Sequence, residues 1–252
     1  MFAEERCDKI MAILRAKKHV SLDYLSGQLY CSPATIRRDL IGLENMGLVI
    51  RKRGGAALAM GGNWEYSYTF RDMEKKDEKT YICTLAENFL ADGLSLFLDS
   101  STTVMNICPV LKKYNNLSVA TNGITTALSL IQNDCADTYM AGGHVKYGST
   151  SIVGEQASHF FTQFKADLAI ISCRGIDRQG VCEANQQQVM VKKQMMENAE
   201  STILLCDSSK FNQSYFFRLS GFKGIDAILT EKKPPEDIAR AAAEASCDIL
   251  FE

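Results

Sequence analysis

The sequence predicts an α/β chain in two parts: a small, mainly helical N-terminal domain and a larger domain with an open, mostly parallel β-sheet. In the first 60 residues, apolar positions repeat at helical spacing and then give way to two short strand patterns. From residue 76 onward, apolar strand-like runs alternate with helical stretches, which is typical of a parallel sheet. Charge also separates the two parts, because residues 1–60 carry a net charge of +4 and the remainder carries −6.

The composition is that of a globular protein, with 46% hydrophobic and 23% charged residues. No apolar run approaches the ~20 residues that span a bilayer, and residues 1–8 lack the apolar core of a signal peptide. We therefore expect a cytoplasmic protein without a membrane partner. The nine cysteines form no CxxC pair and the three histidines are scattered, so we expect reduced thiols and no metal site.

Apolar stripes at helical spacing predict the first two helices: Cys7, Ile10 and Leu14, then Leu22, Leu25 and Leu29. Ser21 is placed to cap the second helix. Ser32 and Pro33 then form a strong start signal for a third helix, which runs to about Met46 and ends at Gly47.

The third helix predicts a DNA-contacting surface. Its apolar positions lie on one side, and small residues, Thr and Arg occupy the other side. Arg pairs well with guanine edges in a major groove, whereas Ser and Thr reach bases or phosphates. A solvated surface with ordinary charges would look the same, but a basic hairpin follows between two short strands and favours DNA, since it can contact the phosphate backbone. The candidate DNA-binding residues are Ser32, Ala34, Thr35, Arg37, Arg38, Arg51, Lys52 and Arg53.

A linker is predicted between the two domains. Gly61-Gly62-Asn63 is a cluster that breaks regular structure, and the aromatic residues Trp64, Tyr66, Tyr68 and Phe70 alternate with polar ones. Such a segment can dock in extended form on one of the domains. The predicted organisation is a DNA-binding domain over 1–58, a linker over 59–75 and an α/β domain over 76–252.

Seven strands are predicted in the larger domain, at 94–98, 117–120, 138–140, 168–171, 202–206, 227–229 and 248–251. Helices are predicted over 82–90, 103–113, 124–132 and 187–199. Ligands of open parallel sheets bind at the carboxyl ends of strands. Five of these strand ends are followed by small, hydroxyl, amide or charged residues, which we expect to converge on one edge of the sheet.

The chemistry of these strand ends suits a phosphorylated polyol. Residues 100–103 open a predicted helix, so that hydroxyls and free N–H groups there can hold an anion. Lys210 can supply a point charge, and the carboxylates of Asp99 and Asp177 can accept hydrogen bonds from sugar hydroxyls. Helix caps and turns use the same residue types, which is the alternative interpretation of each single loop. The sequence holds neither GxGxxG nor GxxxxGK[ST], so we expect no nucleotide cofactor.

Two sets of motifs resemble one known family. "TIRRDL" at 35–40 and "GGA" at 54–56 closely resemble the winged helix-turn-helix of DeoR-family regulators. The larger domain carries, in order, "DGLSLFLDSSTT", "VATNG", "AGG", "VGEQA", "GID", "VKKQM" and "ILLCDSSKF", which resemble the sensor domain of the same family. That sensor domain is similar in fold to ribose-5-phosphate isomerase. The resemblance covers nearly the whole chain.

The resemblance implies roles for the residues at the strand ends. Ser100, Ser101, Thr102 and Thr103 would bind the phosphate of a phosphorylated sugar. The sugar site would be lined by Thr121, Asn122, Gly142, Gly143, Asp177 and Lys210. This chain departs from the family at Arg174, which follows Cys173 where small residues are usual. Arg174 either contacts the effector or fills part of the pocket.

These observations predict a DNA-binding transcription regulator that represses a sugar catabolic operon and responds to a phosphorylated sugar. It would act as a homo-oligomer, a dimer or a tetramer, because a single small winged helix gives limited specificity. An activator of the same construction stays open. The alternative is an isomerase-like enzyme acting on sugar phosphates, for which Asp177, Glu183 and Lys210 offer acid–base groups. Since such an enzyme has no use for a DNA-binding domain, we expect that the protein is not an enzyme.

Overall fold

The computed structural model describes residues 3–59 and 68–251. The chain divides into two compact units, Met1–Arg71 and Asp72–Glu252, which are described separately below. The predicted docking of the linker through Trp64 and Tyr66 lies outside the described residues, as does the 61–63 cluster.

Three helices and a small antiparallel sheet form the N-terminal unit. Its elements are α1 (Ala3–Lys17), β1 (His19–Ser21), α2 (Leu22–Leu29), α3 (Pro33–Asn45), β2 (Val49–Lys52) and β3 (Gly55–Leu58). The sheet order is β1-β3-β2, and the sequence pattern did not predict the three-residue strand β1. The predicted caps are confirmed, because Ser21 Oγ accepts a hydrogen bond from the Tyr24 N–H and Ser32 Oγ accepts one from the Thr35 N–H, both at 3.1 Å.

The core of this unit lies between its helices and is formed by the predicted apolar stripes. Its fully buried side chains include Ile10, Leu14, Leu25, Ile36, Leu40 and Leu43. A polar contact also joins α1 to α3, because Arg6 of α1 donates to both carboxylate oxygens of Asp39 of α3, at 2.5 and 2.9 Å. Both side chains are largely buried. The two-point contact fixes how α3 turns about its axis, and therefore which of its residues face solvent.

After α4 (Tyr68–Met73), the larger unit continues through seven helices and twelve strands of the described residues. Its helices are α5 (Lys76–Leu85), α6 (Thr102–Met105), α7 (Cys108–Leu111), α8 (Ile124–Asn133), α9 (Glu155–Phe161), α10 (Gln186–Glu197) and α11 (Glu236–Glu244). Its strands are β4 (Ser95–Leu98), β5 (Ser118–Thr121), β6 (Asp137–Met140), β7 (His144–Val145), β8 (Ile152–Val153), β9 (Ala166–Ser172), β10 (Gly175–Asp177), β11 (Gly180–Glu183), β12 (Ala199–Leu205), β13 (Phe217–Ser220), β14 (Ala227–Leu229) and β15 (Asp248–Leu250).

Seven of these strands form one parallel sheet in the order β15-β14-β12-β9-β4-β5-β6, which confirms the predicted fold class and all seven predicted strands. The central strands are buried on both faces. Phe97 belongs to the apolar core on one face of the sheet, whereas Leu96 and Leu98 belong to the core on the other. This alternation follows from the two-residue period of a strand and explains why these strands appear in the sequence as continuous apolar runs.

Two features of this unit differ from the sequence prediction. The helix predicted over 103–113 is two short helices, α6 and α7. Pro109 has no N–H to donate to the carbonyl of Met105, so a continuous helix would lose a hydrogen bond there. A second, antiparallel sheet in the order β10-β11-β13 was not predicted, since its strands are three or four residues long and the first two are joined by a tight turn.

Gly55 provides a test of the N-terminal sheet. A Cβ at this position would lie 2.2 Å from the Val20 carbonyl oxygen and 2.9 Å from the Ser21 Cα, so β1 and β3 would have to separate. We expect Gly55→Ala to lower the unfolding free energy of this unit by at least about 2 kcal/mol, measured by urea unfolding. The control is Gly27→Ala in α2, where nothing lies within 4 Å and Ala should add about 0.5–1 kcal/mol. Equal unfolding curves for the two variants would contradict the close strand approach.

Candidate functional site

The outer side of α3 presents the residues that the sequence analysis proposed for DNA contact. Ala34, Arg37 and Arg38 are exposed, and the half-buried Thr35 lies among them at the N-terminal end of the helix. Ser32 Oγ and Thr35 Oγ1 are 2.9 Å apart and hydrogen-bonded to each other. The two hydroxyls therefore complete the start of the helix, while both arginines extend into solvent.

The basic hairpin joins β2 to β3 and carries three exposed cations with different surroundings. Arg51 is tied back to the last turn of α3, because its Nε donates to Glu44 Oε2 at 2.6 Å and its backbone N–H donates to Glu44 Oε1 at 3.0 Å. These hydrogen bonds lower the pKa of Glu44. Lys52 and Arg53 lie further out toward the turn. Arg51 thus holds the hairpin to α3, and its two neighbours present charge to solvent.

In the larger unit, Asp99 lies at the carboxyl end of the central strand β4 and is fully buried. Its Oδ1 accepts a hydrogen bond from the Ser101 N–H at 2.8 Å, and its Oδ2 accepts one from the Ser172 N–H at 2.9 Å. The carboxylate therefore joins the ends of β4 and β9 and shapes the loop that follows β4. Its oxygens are already used by groups of the protein, which favours a positioning role over the direct sugar contact that the sequence suggested.

Lys192 reaches this edge from α10, and the sequence analysis missed it. Its buried ammonium lies 3.0 Å from Asp99 Oδ2, donates to the Ser172 carbonyl at 2.6 Å and donates to Glu183 through a very short hydrogen bond. Burial opposes its charge, but the carboxylates of Asp99 and Glu183 outweigh that effect and raise the pKa of Lys192. Helical spacing could have indicated that Lys192 is buried, because it lies on the same side of α10 as the buried Gln188 and Met195.

Two further lysines lie at the same edge. Lys79 of α5 is 4% exposed, and its Nζ donates to Thr102 Oγ1 at 3.1 Å. Burial, together with the positive charge of Lys210, lowers the pKa of Lys79 to about 8. Lys210 Nζ in turn lies 3.8 Å from Asp207 Oδ2. Lys79 was also missed by the sequence analysis, although it shares the buried side of its helix with Ile82 and Cys83.

Two buried oxygens at this edge have no hydrogen-bond donor within the described part of the chain. They are Asn122 Oδ1 after β5 and Asp207 Oδ2 after β12, and each residue is 1% exposed. Their other polar atoms are satisfied, because Asn122 Nδ2 donates to the Ile152 carbonyl at 2.9 Å and Asp207 Oδ1 accepts from the Ser209 N–H at 3.0 Å. A buried acceptor without a donor is costly, so Asn122 Oδ1 fits a ligand that brings an O–H group. Asp207 Oδ2 faces the Lys210 ammonium at 3.8 Å, beyond hydrogen-bond distance, and can accept from such a ligand as well.

The remaining candidates at these strand ends are mostly buried hydroxyls. Ser100, Thr102, Thr103 and Thr121 are buried, and Ser101 Oγ accepts from the Val104 N–H at 3.1 Å. The loops after β4 and β5 approach closely, since a Cβ on Gly123 would lie 2.9 Å from the Ser100 Cα.

Gly142 and Gly143 follow β6 and are exposed. At Gly143 the backbone has a φ of 138°, which favours glycine.

Asp177 and Arg174 contact a different segment, the stretch that leads into β13. Asp177 accepts from Ser214 Oγ at 2.5 Å and from the Gln179 N–H at 2.8 Å. The Arg174 guanidinium lies over the Tyr215 ring, 5.4 Å from its centre. Asp177 also lines a cavity of about 250 Å³ together with Ser214, Tyr215, Phe216 and Arg218. The structure therefore places these two residues around the antiparallel sheet and the 214–215 segment.

Within residues 3–59 and 68–251, no group of three or more His, Cys, Asp or Glu side chains is placed to hold a metal ion. None of the nine cysteines, all of which lie among the described residues, forms a disulfide bond. No helix among the described residues is long and apolar enough to cross a membrane.

A helix-turn-helix unit with a basic hairpin, joined to an α/β domain with a polar ligand edge, defines a ligand-responsive DNA-binding protein. Comparison with known proteins gives the family. Residues 6–60 match the DeoR-like helix-turn-helix domain, and residues 74–232 match the DeoR C-terminal sensor domain. The chain belongs to the DeoR family, which confirms the predicted resemblance. It is a DNA-binding transcription regulator and not an enzyme.

Similar curated proteins cover almost the whole chain. The HTH-type transcriptional repressor GlcR of Bacillus subtilis (strain 168) is 30% identical over 250 residues, which are 99% of this chain and 93% of GlcR. The glycerol-3-phosphate regulon repressor of Escherichia coli (strain K12) is 28% identical over 241 residues, 95% of each chain. Among solved structures, ribose-5-phosphate isomerase A from Methanocaldococcus jannaschii matches 56% of each chain with a TM-score of 0.42 and 12% identity.

The buried ammonium of Lys192 leads to a stability prediction. Lys192→Met leaves Asp99 and Glu183 as buried carboxylates without their cation, so the unfolding free energy of the sensor domain should fall by about 3–5 kcal/mol. The matched control is Lys193→Met, whose side chain is exposed and whose replacement should change stability by less than about 0.5 kcal/mol. Urea unfolding followed by circular dichroism measures both. A Lys192→Met variant as stable as the control would refute the ion cluster.

Proposed function

We propose that this regulator represses a sugar-related operon and that a phosphorylated sugar, bound at the carboxyl edge of the main sheet, relieves repression. The observation that carries the proposal is the buried ammonium of Lys79, which donates to Thr102 Oγ1 in the hydroxyl-rich loop after β4. Lys210 follows β12 of the same sheet, so a phosphate bound at this loop would have a second ammonium available from the same edge of the sheet. The names of GlcR and the glycerol-3-phosphate regulon repressor support repression.

The phosphate of the effector would be held by Lys79, Lys210 and the hydroxyl-rich loop after β4. In that loop the proposed contacts are Ser100, Ser101, Thr102 and Thr103. Lys79 already donates to Thr102 Oγ1, so its ammonium is oriented toward the loop before a ligand arrives. Ammonium groups act on phosphate as compact point charges, and their effect is strong at a buried site.

The sugar would lie beside the phosphate and supply the missing donors. Its hydroxyls would donate to Asn122 Oδ1 and Asp207 Oδ2, with Thr121, Gly142 and Gly143 as neighbours. Asp99 would act through the positions of Ser101 and Lys192. Arg174 and Asp177 would meet the end of the effector that lies away from the phosphate, so they are the proposed determinants of which sugar is accepted.

DNA would be contacted by α3 and by the basic hairpin. Ala34, Thr35, Arg37 and Arg38 would face base edges in the major groove, and Ser32, Lys52 and Arg53 would contact phosphates. Arg51 would add charge while its bond to Glu44 holds the hairpin in place.

The effector would act by binding one arrangement of two DNA-binding domains better than another, which requires a homo-oligomer, a dimer or a tetramer.

The proposed boundaries are 1–58 for the DNA-binding domain, 59–75 for the linker and 76–252 for the sensor domain. The proposed location is the cytoplasm, where both operator DNA and sugar phosphates are found.

The effector class can be identified by thermal unfolding against a panel of hexose, pentose and triose phosphates, each paired with its unphosphorylated parent. We expect a rise in Tm with one phosphate and none with its parent, since a ligand stabilises the state that it binds. Lys210→Ala should abolish the rise, whereas Lys223→Ala, an exposed lysine of the same domain, should preserve it. An equal response to a sugar and its phosphate, or an unchanged response in Lys210→Ala, would exclude the proposed phosphate contacts.

The lowered pKa of Lys79 predicts a pH dependence of effector binding. Below about pH 8 Lys79 is protonated and attracts the phosphate dianion, whose own second pKa is about 6. As the pH rises through about 8, the unliganded protein loses this proton, so effector affinity should fall between about pH 7.5 and about pH 9. Calorimetric titrations with the effector should show this decline in the native chain. In Lys79→Met binding should be weaker and flat over the same range, and a flat native profile would argue against Lys79.

A further inference from the structure

Tyr30 is a nearly fully exposed aromatic residue in the turn between α2 and α3. Its side chain is 96% accessible to solvent. It makes no ring contact with another described residue, so it adds nothing to the packing of the N-terminal core. Hydrophobic burial therefore does not account for a tyrosine at this position.

The backbone of Tyr30 disfavours a tyrosine as well. Its φ of 51° and ψ of 41° lie in the left-handed region, and its N–H donates to the Ser26 carbonyl to end α2. The turn needs this conformation, because the chain must reverse within three residues before α3 begins. Glycine and asparagine adopt it at least cost, whereas a residue with a bulky side chain is strained there. Among the described non-glycine residues with positive φ, Tyr30 is the one aromatic; three of the others are Asn or Asp.

The position of Tyr30 places its side chain beside the DNA-contacting surface. It lies two residues before Ser32, the cap of α3, and the following Pro33 and Ala34 are exposed. When the N-terminal end of a recognition helix enters a major groove, the phosphates of the groove edge run past the turn that precedes the helix. A phenol is long, has one O–H donor and loses little conformational entropy on binding.

We propose that Tyr30 is a DNA-contact residue whose hydroxyl donates a hydrogen bond to a backbone phosphate at the start of α3. The strained backbone is retained because the ring gives the hydroxyl its reach. The contact is uncharged, so it displaces no counterion from DNA, in contrast to the contacts of Lys52 and Arg53. It anchors the end of α3 in the groove without reading sequence.

The test measures binding of the full chain to a short random-sequence duplex by fluorescence anisotropy, since a phosphate contact acts on any sequence. Tyr30→Phe removes only the hydroxyl and should weaken binding about tenfold. The slope of log affinity against log salt should stay that of the native chain, whereas Lys52→Ala should reduce it by about 0.9. Tyr147→Phe, which changes a tyrosine that is 99% exposed in the sensor domain, should bind as the native chain does.

Unfolding of Tyr30→Asn provides the second measurement. Asparagine suits the left-handed turn, so this variant should unfold at higher urea concentration than the native chain while binding the duplex about tenfold more weakly. Improved stability with weakened binding separates a DNA contact from a structural role, in which both would move together. Native affinity in Tyr30→Phe overturns the proposal, and so does a Tyr30→Asn variant that is destabilised.

Discussion

The carboxyl edge of the main sheet, where we propose that the effector binds, depends on one buried ammonium group, that of Lys192. It connects Asp99 after β4, the Ser172 carbonyl at the end of β9 and Glu183 at the end of β11. These elements are remote in sequence, and each would present an uncompensated polar group if the lysine were missing. Because a buried cation tolerates few geometries, the cluster fixes the separation of the strand ends that carry the proposed effector loops. The loop after β4 inherits its shape from this arrangement through the Asp99 bond to the Ser101 N–H.

The buried aspartates and lysines at this edge have two different roles, one structural and one proposed for ligand binding. Asp99 and Lys192 are satisfied within the protein, so they give the edge its form. Within the described part of the chain, Asp207 and Asn122 each keep a buried oxygen without a hydrogen-bond donor, and burial lowers the pKa of Lys79. Groups of the second kind gain most from a ligand, because a phosphate or hydroxyl removes a cost that the unliganded protein bears. Residue type alone does not separate the two kinds, since an aspartate and a lysine occur in each.

The sequence could predict some parts of this structure and not others, depending on whether a residue's partners are close to it along the chain. The seven strands of the main sheet and the caps Ser21 and Ser32 follow from local pattern, because apolar runs and capping residues act over a few positions. Strand ends then point to the loops of the site, as parallel strands share one carboxyl edge. Lys79 and Lys192 escaped prediction, since a charged residue on a helix is normally solvated and their partners lie on distant segments. The strands of the antiparallel sheet are too short to show a two-residue period in the sequence. The contacts of Asp177 and Arg174 with this sheet could therefore not be predicted from the sequence.

In the N-terminal unit, ion pairs also fix the positions of the functional elements, although these ion pairs are less buried than the Lys192 cluster. Arg6 orients α3 through Asp39, and Glu44 at the end of α3 orients the hairpin through Arg51. Two ion pairs therefore position both elements that we propose to contact DNA. The side chains proposed to contact DNA can then stay exposed, because these ion pairs already fix the positions of α3 and the hairpin. In the sensor domain, the proposed effector contact Lys79 lies on α5, the first full helix after the linker along the chain. A ligand bound at Lys79 would therefore contact a helix that follows the N-terminal unit closely along the chain, so the proposed effector site and the proposed DNA contacts are separated by few elements in sequence.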